Sequence, residues 1–300
     1  MAEPFQRPRD IKRWRVSKYY ASIQDFVELP LSDGLHTIEH KGRQLDLLIK
    51  DRKSATTLIV FHGALSPRQR TIPCLQGNAL SEAAGVNLIA CADPSLDQGA
   101  ISCAWFLGDK DFGPLPNLLA PILHHCLSQL SSSHTILFGG SGGGYAATNF
   151  GSLFPDSIVL AMNPRLNFDA SPKSTLDQYL RICHRVQGRT PAMRVKSSFV
   201  NTNLSDVVNA GQNFDLLVLQ NGNDQSFLNH QLKPFIEELD DTSRVWISLF
   251  DGPAGHAPSP KEEIAAIIEN VKSSTIGSAE EQKYKKAGFA PASEVAKQWD

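Results

Sequence analysis

The stretch Thr135-Ile-Leu-Phe-Gly139-Gly-Ser141-Gly-Gly-Gly144-Tyr-Ala-Ala-Thr148 decides how the rest of the chain is read. A short apolar run ends in glycines, a serine stands among them, and a helix-forming segment follows. That succession predicts strand, sharp turn and helix, with Gly139-Gly140-Ser141-Gly142-Gly143 in the pattern G-x-S-x-G. A serine at the tip of such a turn sits in strained backbone. Its neighbours must be nearly side-chain-free for strand and helix to pass closely. The helix N-terminus then points free N–H groups at the place where negative charge would develop. Read alone, the stretch is equally a Gly/Ser-rich loop, so the surrounding chain has to decide.

Working outward, apolar runs alternate with amphipathic segments. Thr56–Phe61, Val86–Ala92, Ser157–Met162, Phe214–Leu219 and Arg244–Phe250 read as strands buried on both faces. Between them, helical spacing covers Leu75–Ala84, Leu115–Leu130 and Phe227–Leu239. Pro260 opens a last helix with Ile264, Ile267, Ile268 and Val271 on one face. This order predicts an α/β domain, 35–272, with a mostly parallel central sheet and helices on both faces. His36–His40 and Leu45–Lys50 flank Lys41-Gly42, which predicts an antiparallel hairpin at its N-terminal side. Residues 166–211, after the sixth strand, read as a small insertion or cap. Residues 1–34 read as an N-terminal extension. Residues 273–300 read as a polar C-terminal tail carrying a peripheral helix or moving freely.

Composition bounds the function. An apolar share of 41% is ample for a buried core. A net charge of −2 gives no reason to expect a nucleic-acid or acidic-membrane partner. No run approaches the ~20 apolar residues of a membrane span. The opening residues are basic and lack the apolar core of a secretory signal, so a cytoplasmic location is expected. The run Arg7–Arg15 is either a partner-binding arm or a solvated end. Cys74, Cys91, Cys103, Cys126 and Cys183 are scattered without a CxxC or CxxH pair; they read as buried free thiols, and no metal or cofactor is expected. No P-loop is present, and the elbow glycines lack the later acidic residue of a dinucleotide site.

In parallel α/β sheets, ligands gather at the carboxyl ends of strands. Here those ends carry His62-Gly63-Ala64, Asp93, Ser141, Asn163-Pro164-Arg165, Asp224 and His256. A serine hydroxyl needs an adjacent base, and the base needs a carboxylate to hold its tautomer. Ser141, Asp224 and His256 supply these in the chain order Ser, Asp, His. Asp224 is also a natural cap for the next helix. Asp109 and Asp169 are its rivals as the acid. Oxyanion donors are expected at the N–H of Gly142 and at that of Ala64, with Gly63 as rival. His62, Trp105, Tyr145, Arg165 and His230 are candidates for substrate contact. Trp105 is equally an ordinary core residue, Arg165 an ion-pair partner, and His230 a packed or solvent-facing side chain.

With these residues in view, 35–272 resembles an α/β-hydrolase. The run Ser141-Gly142-Gly143-Gly144-Tyr145-Ala146, with Asn163-Pro164 and Gly255-His256-Ala-Pro258, is similar to bacterial α/β-hydrolase-like proteins, some akin to glycan O-acetyltransferases. The resemblance implies acyl transfer through a seryl ester, to water in an esterase acting on a small or carbohydrate ester. The alternative is an O-acyltransferase using a glycan hydroxyl, with acetyl-CoA as co-substrate. A third reading is an inactive scaffold that binds partners. Position 64 is Ala and 65 is Leu, which departs from the His-Gly-Gly-Gly of lipase-type relatives.

Overall fold

The computed structural model describes residues 7–14, 16–66, 68–69, 71–274 and 281–299. The readings of residues 1–6, Arg15, 275–280 and Asp300 therefore lie outside the described residues. Among the described residues ten strands form one sheet: β1 Ser17–Tyr20, β2 Gly34–His40, β3 Arg43–Lys50, β4 Thr56–Phe61, β5 Asn87–Cys91, β6 His134–Gly140, β7 Ile158–Met162, β8 Asp215–Asn221, β9 Val245–Phe250 and β10 Ala290–Pro291. Their order is β1-β2-β3-β5-β4-β6-β7-β8-β9-β10. Strands β4 to β9 pair in parallel. The expected hairpin is β2–β3, antiparallel, and β3 continues antiparallel onto β5. Its turn residues Lys41 and Gly42 both have positive φ, 51° and 74°, as a two-residue turn matching strand twist requires.

The parallel strands are buried on both faces because helices cover both. Alternation divides the core: Ile59 and Leu137 lie in one apolar cluster, Leu58 and Ile136 in the other. Helices Leu115–Gln129 and Gly142–Gly151 contribute to the first, and Asn78–Ala83 and Lys261–Val271 to the second. The helix predicted from Leu75 starts later, at Asn78. Gly77 has φ +97°, and a side chain there would lie 2.7 Å from Val60 Cγ2. The segment predicted as a helix from Phe227 is Gln225–Phe227, a π turn Leu228–Leu232, then Lys233–Glu237. Pro234, which has no N–H to give, stands at the start of its last part.

Two strands were not expected. Ser17–Tyr20 runs parallel to β2, so the insertion follows the seventh strand of the sheet and not the sixth. Ala290–Pro291 pairs antiparallel with Trp246 and Ile247. Within the tail, Tyr284 is buried against Trp246 and donates to Asp215 Oδ2 at 2.7 Å. The insertion holds helices Leu176–Cys183, Arg189–Phe199 and Leu204–Asn209. It is tied down by Tyr179 Oη–H to Gly108 O (2.7 Å) and by Gln231 Oε1, which accepts from Leu166 and Asn167 N–H. Among the described residues no helix is long and apolar enough to cross a membrane.

Candidate active site

Ser141 links β6 to the helix Gly142–Gly151 with φ 54° and ψ −114°. For a residue with a Cβ this is a strained conformation, of the kind held where structure over-determines it. The glycines make it possible. A Cβ on Gly139 would lie 2.1 Å from Gly143 O, and one on Gly143 would lie 2.3 Å from Phe61 O. Strand β6, the helix and the end of β4 therefore meet backbone to backbone. Ser141 N–H donates to Met162 O (2.8 Å), and Ser141 O accepts from Tyr145 and Arg165 N–H.

Asp224 and His256 meet across 32 residues: His256 Nδ1 lies 2.7 Å from Asp224 Oδ2. A carboxylate only accepts, so the proton sits on Nδ1 and the Nε2 lone pair is free to act as a base. Asp224 Oδ1 accepts from Phe227 N–H (3.2 Å), so one carboxylate caps its helix and bonds the histidine at once. The rivals are occupied elsewhere. Asp109 pairs with Arg43 at 2.8 Å, and Asp169 pairs with Lys196 at the surface.

The histidine loop is clamped to the strand ends. Asn221 Nδ2 donates to Pro253 O and Gly255 O (2.8 and 2.9 Å). Asn163 Nδ2 donates to Ala257 O (2.8 Å), while its Oδ1 accepts from Asn221 N–H (2.7 Å). Phe227 stacks on the imidazole with ring centroids 4.0 Å apart. Nothing in the sequence marks Phe227 for this, because its partner is supplied by another loop.

Ser141 and His256 line one cavity of about 380 Å³, together with Gly63, Ala64, Gln76, Phe138, Met162, Asn163 and Pro258. Among the described residues Ser141 Oγ and His256 Nε2 are not themselves hydrogen-bonded; such bonds often tighten only once substrate is present. Gly63 reaches close to the elbow, since a Cβ there would sit 2.8 Å from Gly140 O. Leu65 N–H is taken by Ser102 O (2.7 Å), which leaves Ala64 and Gly63 as the loop positions facing the cavity. A larger cavity, about 780 Å³, lies by Arg9, Arg43 and Asp93. Arg9 and Arg43 are already paired there with Asp46, Asp97 and Asp109, so the smaller cavity is the candidate site.

None of the five residues expected to touch substrate lines the 380 Å³ cavity. His62 is buried, donates from Nδ1 to Gly63 O (2.8 Å) and accepts at Nε2 from Asp93 N–H (3.2 Å). With one nitrogen facing a carbonyl and the other an N–H, it has no place for a second proton, and burial pushes its pKa down to about 4. Tyr145 is buried and donates to Asn201 O (2.8 Å). His230 is exposed on its π turn. Trp105 is buried against Phe168 and Tyr179, with its indole edge beside Gly142. Arg165 is buried and donates to Asn167 O and Pro172 O (3.4 and 2.9 Å).

The five cysteines are buried free thiols. Among the described residues no group of three or more His, Cys, Asp or Glu is placed to hold a metal.

By sequence, the chain matches no protein-family model and no curated protein. By fold, it is similar to the capsule O-acetyltransferase of Neisseria meningitidis serogroup A, with TM-score 0.52 and 17% identity, covering 75% of this chain and 88% of that one. It is similar to an S-formylglutathione hydrolase from Agrobacterium tumefaciens, with TM-score 0.54 and 13% identity, covering 79% and 91%. A 2,6-dihydroxy-pseudo-oxynicotine hydrolase matches with TM-score 0.54 and 13% identity, covering 81% and 69%. At these identities the likeness speaks for the fold, and the fold is that of the α/β-hydrolases.

Proposed function

We propose that this protein is a serine hydrolase acting on a carboxylic ester. The observation that carries the reading is the 2.7 Å contact of His256 Nδ1 with Asp224 Oδ2, in a histidine that shares a cavity with the strained Ser141. Ser141 Oγ attacks the ester carbonyl while His256 Nε2 takes its proton. Asp224 holds the tautomer and stabilises the imidazolium. The N–H groups of Gly142 and Ala64 receive the oxyanion, each donor being worth roughly 3 kcal/mol in the transition state. His256 returns the proton to the departing alcohol, leaving a seryl ester. Water activated by His256 then releases the acid. No metal or cofactor enters this scheme.

A second reading keeps these residues and replaces water by a sugar hydroxyl, with acetyl-CoA as acyl donor. The fold neighbour that is a capsule O-acetyltransferase brings it forward. Labelling with a fluorophosphonate probe tests both readings. Ser141 should label, and Ser141→Ala should not. Folded protein that never labels at Ser141 leaves only the inactive, partner-binding scaffold. Acetyl-CoA turnover that requires a glycan acceptor would select the transferase; ester turnover without one would select the hydrolase.

A further inference from the structure

Among the described residues, two buried side chains near the elbow and the Phe227 ring keep hydrogen-bond donors with no acceptor: the Trp105 indole, and Arg165 at the nitrogens other than Nη1. Trp105 is 4% exposed, and its backbone is held at φ 52°, followed by Phe106 at φ 57°. The pair is fixed by Asp93 Oδ2, which accepts from Phe106 N–H at 2.7 Å. This strained loop presses the indole edge onto the elbow. A methyl group on Gly142 would lie 3.2 Å from Trp105 Nε1 and 2.6 Å from Cys103 Sγ. Among the described residues no acceptor takes the Nε1 proton. An indole N–H that is buried normally finds a partner.

Arg165 is the second donor. It is 7% exposed, yet among the described residues no carboxylate lies within 4.0 Å of its nitrogens. Only Nη1 is used, on the two backbone carbonyls. The guanidinium lies 5.2 Å from the centroid of Phe227, the ring that stacks on His256. Cys103 offers it no counter-charge, because burial pushes that thiol up to about 12 and keeps it neutral. A buried cation without an anion costs several kcal/mol unless something neutralises it. The buried side-chain atoms sealed off without a partner are others, such as Ser32 Oγ and Ser157 Oγ, so the free nitrogens of Trp105 and Arg165 remain open to a ligand.

We propose that Arg165 and the Trp105 indole N–H, which flank the elbow and Phe227 outside the lining of the 380 Å³ cavity, form a recognition site for a negatively charged group, a carboxylate or a phosphate, that the substrate carries beyond its ester. The inference rests on the esterase or transferase reading of the Ser141 cavity. It narrows the substrate to an anionic ester. Guanidinium binds either oxyanion through paired N–H bonds, and the indole N–H adds one more donor.

The test uses full-length Ser141→Ala protein, so that binding is read apart from catalysis. The indole N–H resonances are followed by NMR while succinate, inorganic phosphate, or uncharged succinamide is added. Trp105 is assigned by its loss in Trp105→Phe. The Trp105 resonance should shift and saturate with succinate or phosphate, and not with succinamide. Whichever anion binds tighter identifies the source of the charge. Arg165→Gln, which keeps donors for the two carbonyls but removes the charge, should weaken binding about tenfold or more. Arg165→Lys should recover part of it. If Arg165→Gln does not fold, the wild-type salt dependence decides: the shift should be lost as monovalent salt rises. A Trp105 resonance that ignores both anions, or moves equally in Arg165→Gln, overturns the proposal. Failure of fluorophosphonate to label wild-type Ser141 would overturn the catalytic reading while leaving this binding result standing.

Discussion

Asp93 and His62 are buried neighbours whose protonation should pull stability in opposite directions. Burial pushes the Asp93 carboxyl up to about 7 despite its bonds from Phe106 and Ser95 N–H. The same cause pushes His62 down to about 4. The unfolded chain releases the Asp93 proton near 3.8, whereas the folded state keeps it to about 7. Stability therefore falls as pH rises through that window, by about 4 kcal/mol in all. The unfolded chain takes a proton on His62 below 6.5, which the folded state refuses until about 4. Stability therefore falls as pH drops through that window, by about 3 kcal/mol. Between pH 4 and 6.5 the two slopes, each about 1.4 kcal/mol per pH unit, oppose one another. The wild type should lack a net slope from this pair.

Single substitutions should expose each half. Asp93→Asn keeps an oxygen for one of the two backbone donors, at a cost of about 1–3 kcal/mol for the other. Relative to wild type, its stability should rise by about 3 kcal/mol from pH 4 to 6.5, because the opposing contribution of Asp93 is gone and that of His62 is left uncompensated. His62→Gln should show the reverse: stability relative to wild type falling as pH rises across the same range. The assay is urea unfolding followed by tryptophan fluorescence, extrapolated to water at each pH. Taking differences from wild type cancels the titration of distant groups. If both variants keep the wild-type pH profile, burial does not govern these two groups and the reasoning fails. The result bears on the site, since Asp93 holds the loop that sets Trp105 against Gly142.

Asp224→Asn should lower ester turnover by about 10⁴ by favouring the wrong imidazole tautomer. It should change stability little, because Asn still caps the helix. Equal loss of stability and activity, measured by unfolding and steady-state kinetics, would count against that separation. Gly63→Ala puts a Cβ 2.8 Å from Gly140 O, so the loop must move off the elbow. Turnover should drop, and unfolding should be easier by about 1–3 kcal/mol; unchanged kinetics would show that the 62–64 loop does not serve the oxyanion. Tyr284→Ala removes a ring packed on Trp246 and a bond to buried Asp215. A loss of about 3–5 kcal/mol is expected, with Trp246 emission shifted to the red. A variant as stable as wild type would mean the tail does not support the sheet.

Much of the site is legible in local sequence. The run from Gly139 to Gly143 dictates its own turn, because a Cβ on Gly139 or Gly143 would lie only 2.1–2.3 Å from a neighbouring backbone oxygen. The six strand ends follow from apolar runs that need cover on both faces, and the parallel order puts them on one edge. Asp224 and His256 could be named from chain order. Their meeting at 2.7 Å was decided by Asn163, Asn221 and Phe227, which hold the histidine loop from outside it. Strand Ser17–Tyr20 carries no apolar alternation and is mostly exposed, so only pairing with β2 defines it. His62 and Tyr145 sit where function gathers, yet packing turned them inward and satisfied their polar atoms. Arg165 shows the converse. Its sequence fits an ion-pair partner, but among the described residues the fold brings it no carboxylate. Periodicity and turn chemistry act over a few residues and are written in the chain. Which polar atoms find partners depends on segments far apart in sequence, and that was settled only when the sheet brought them together.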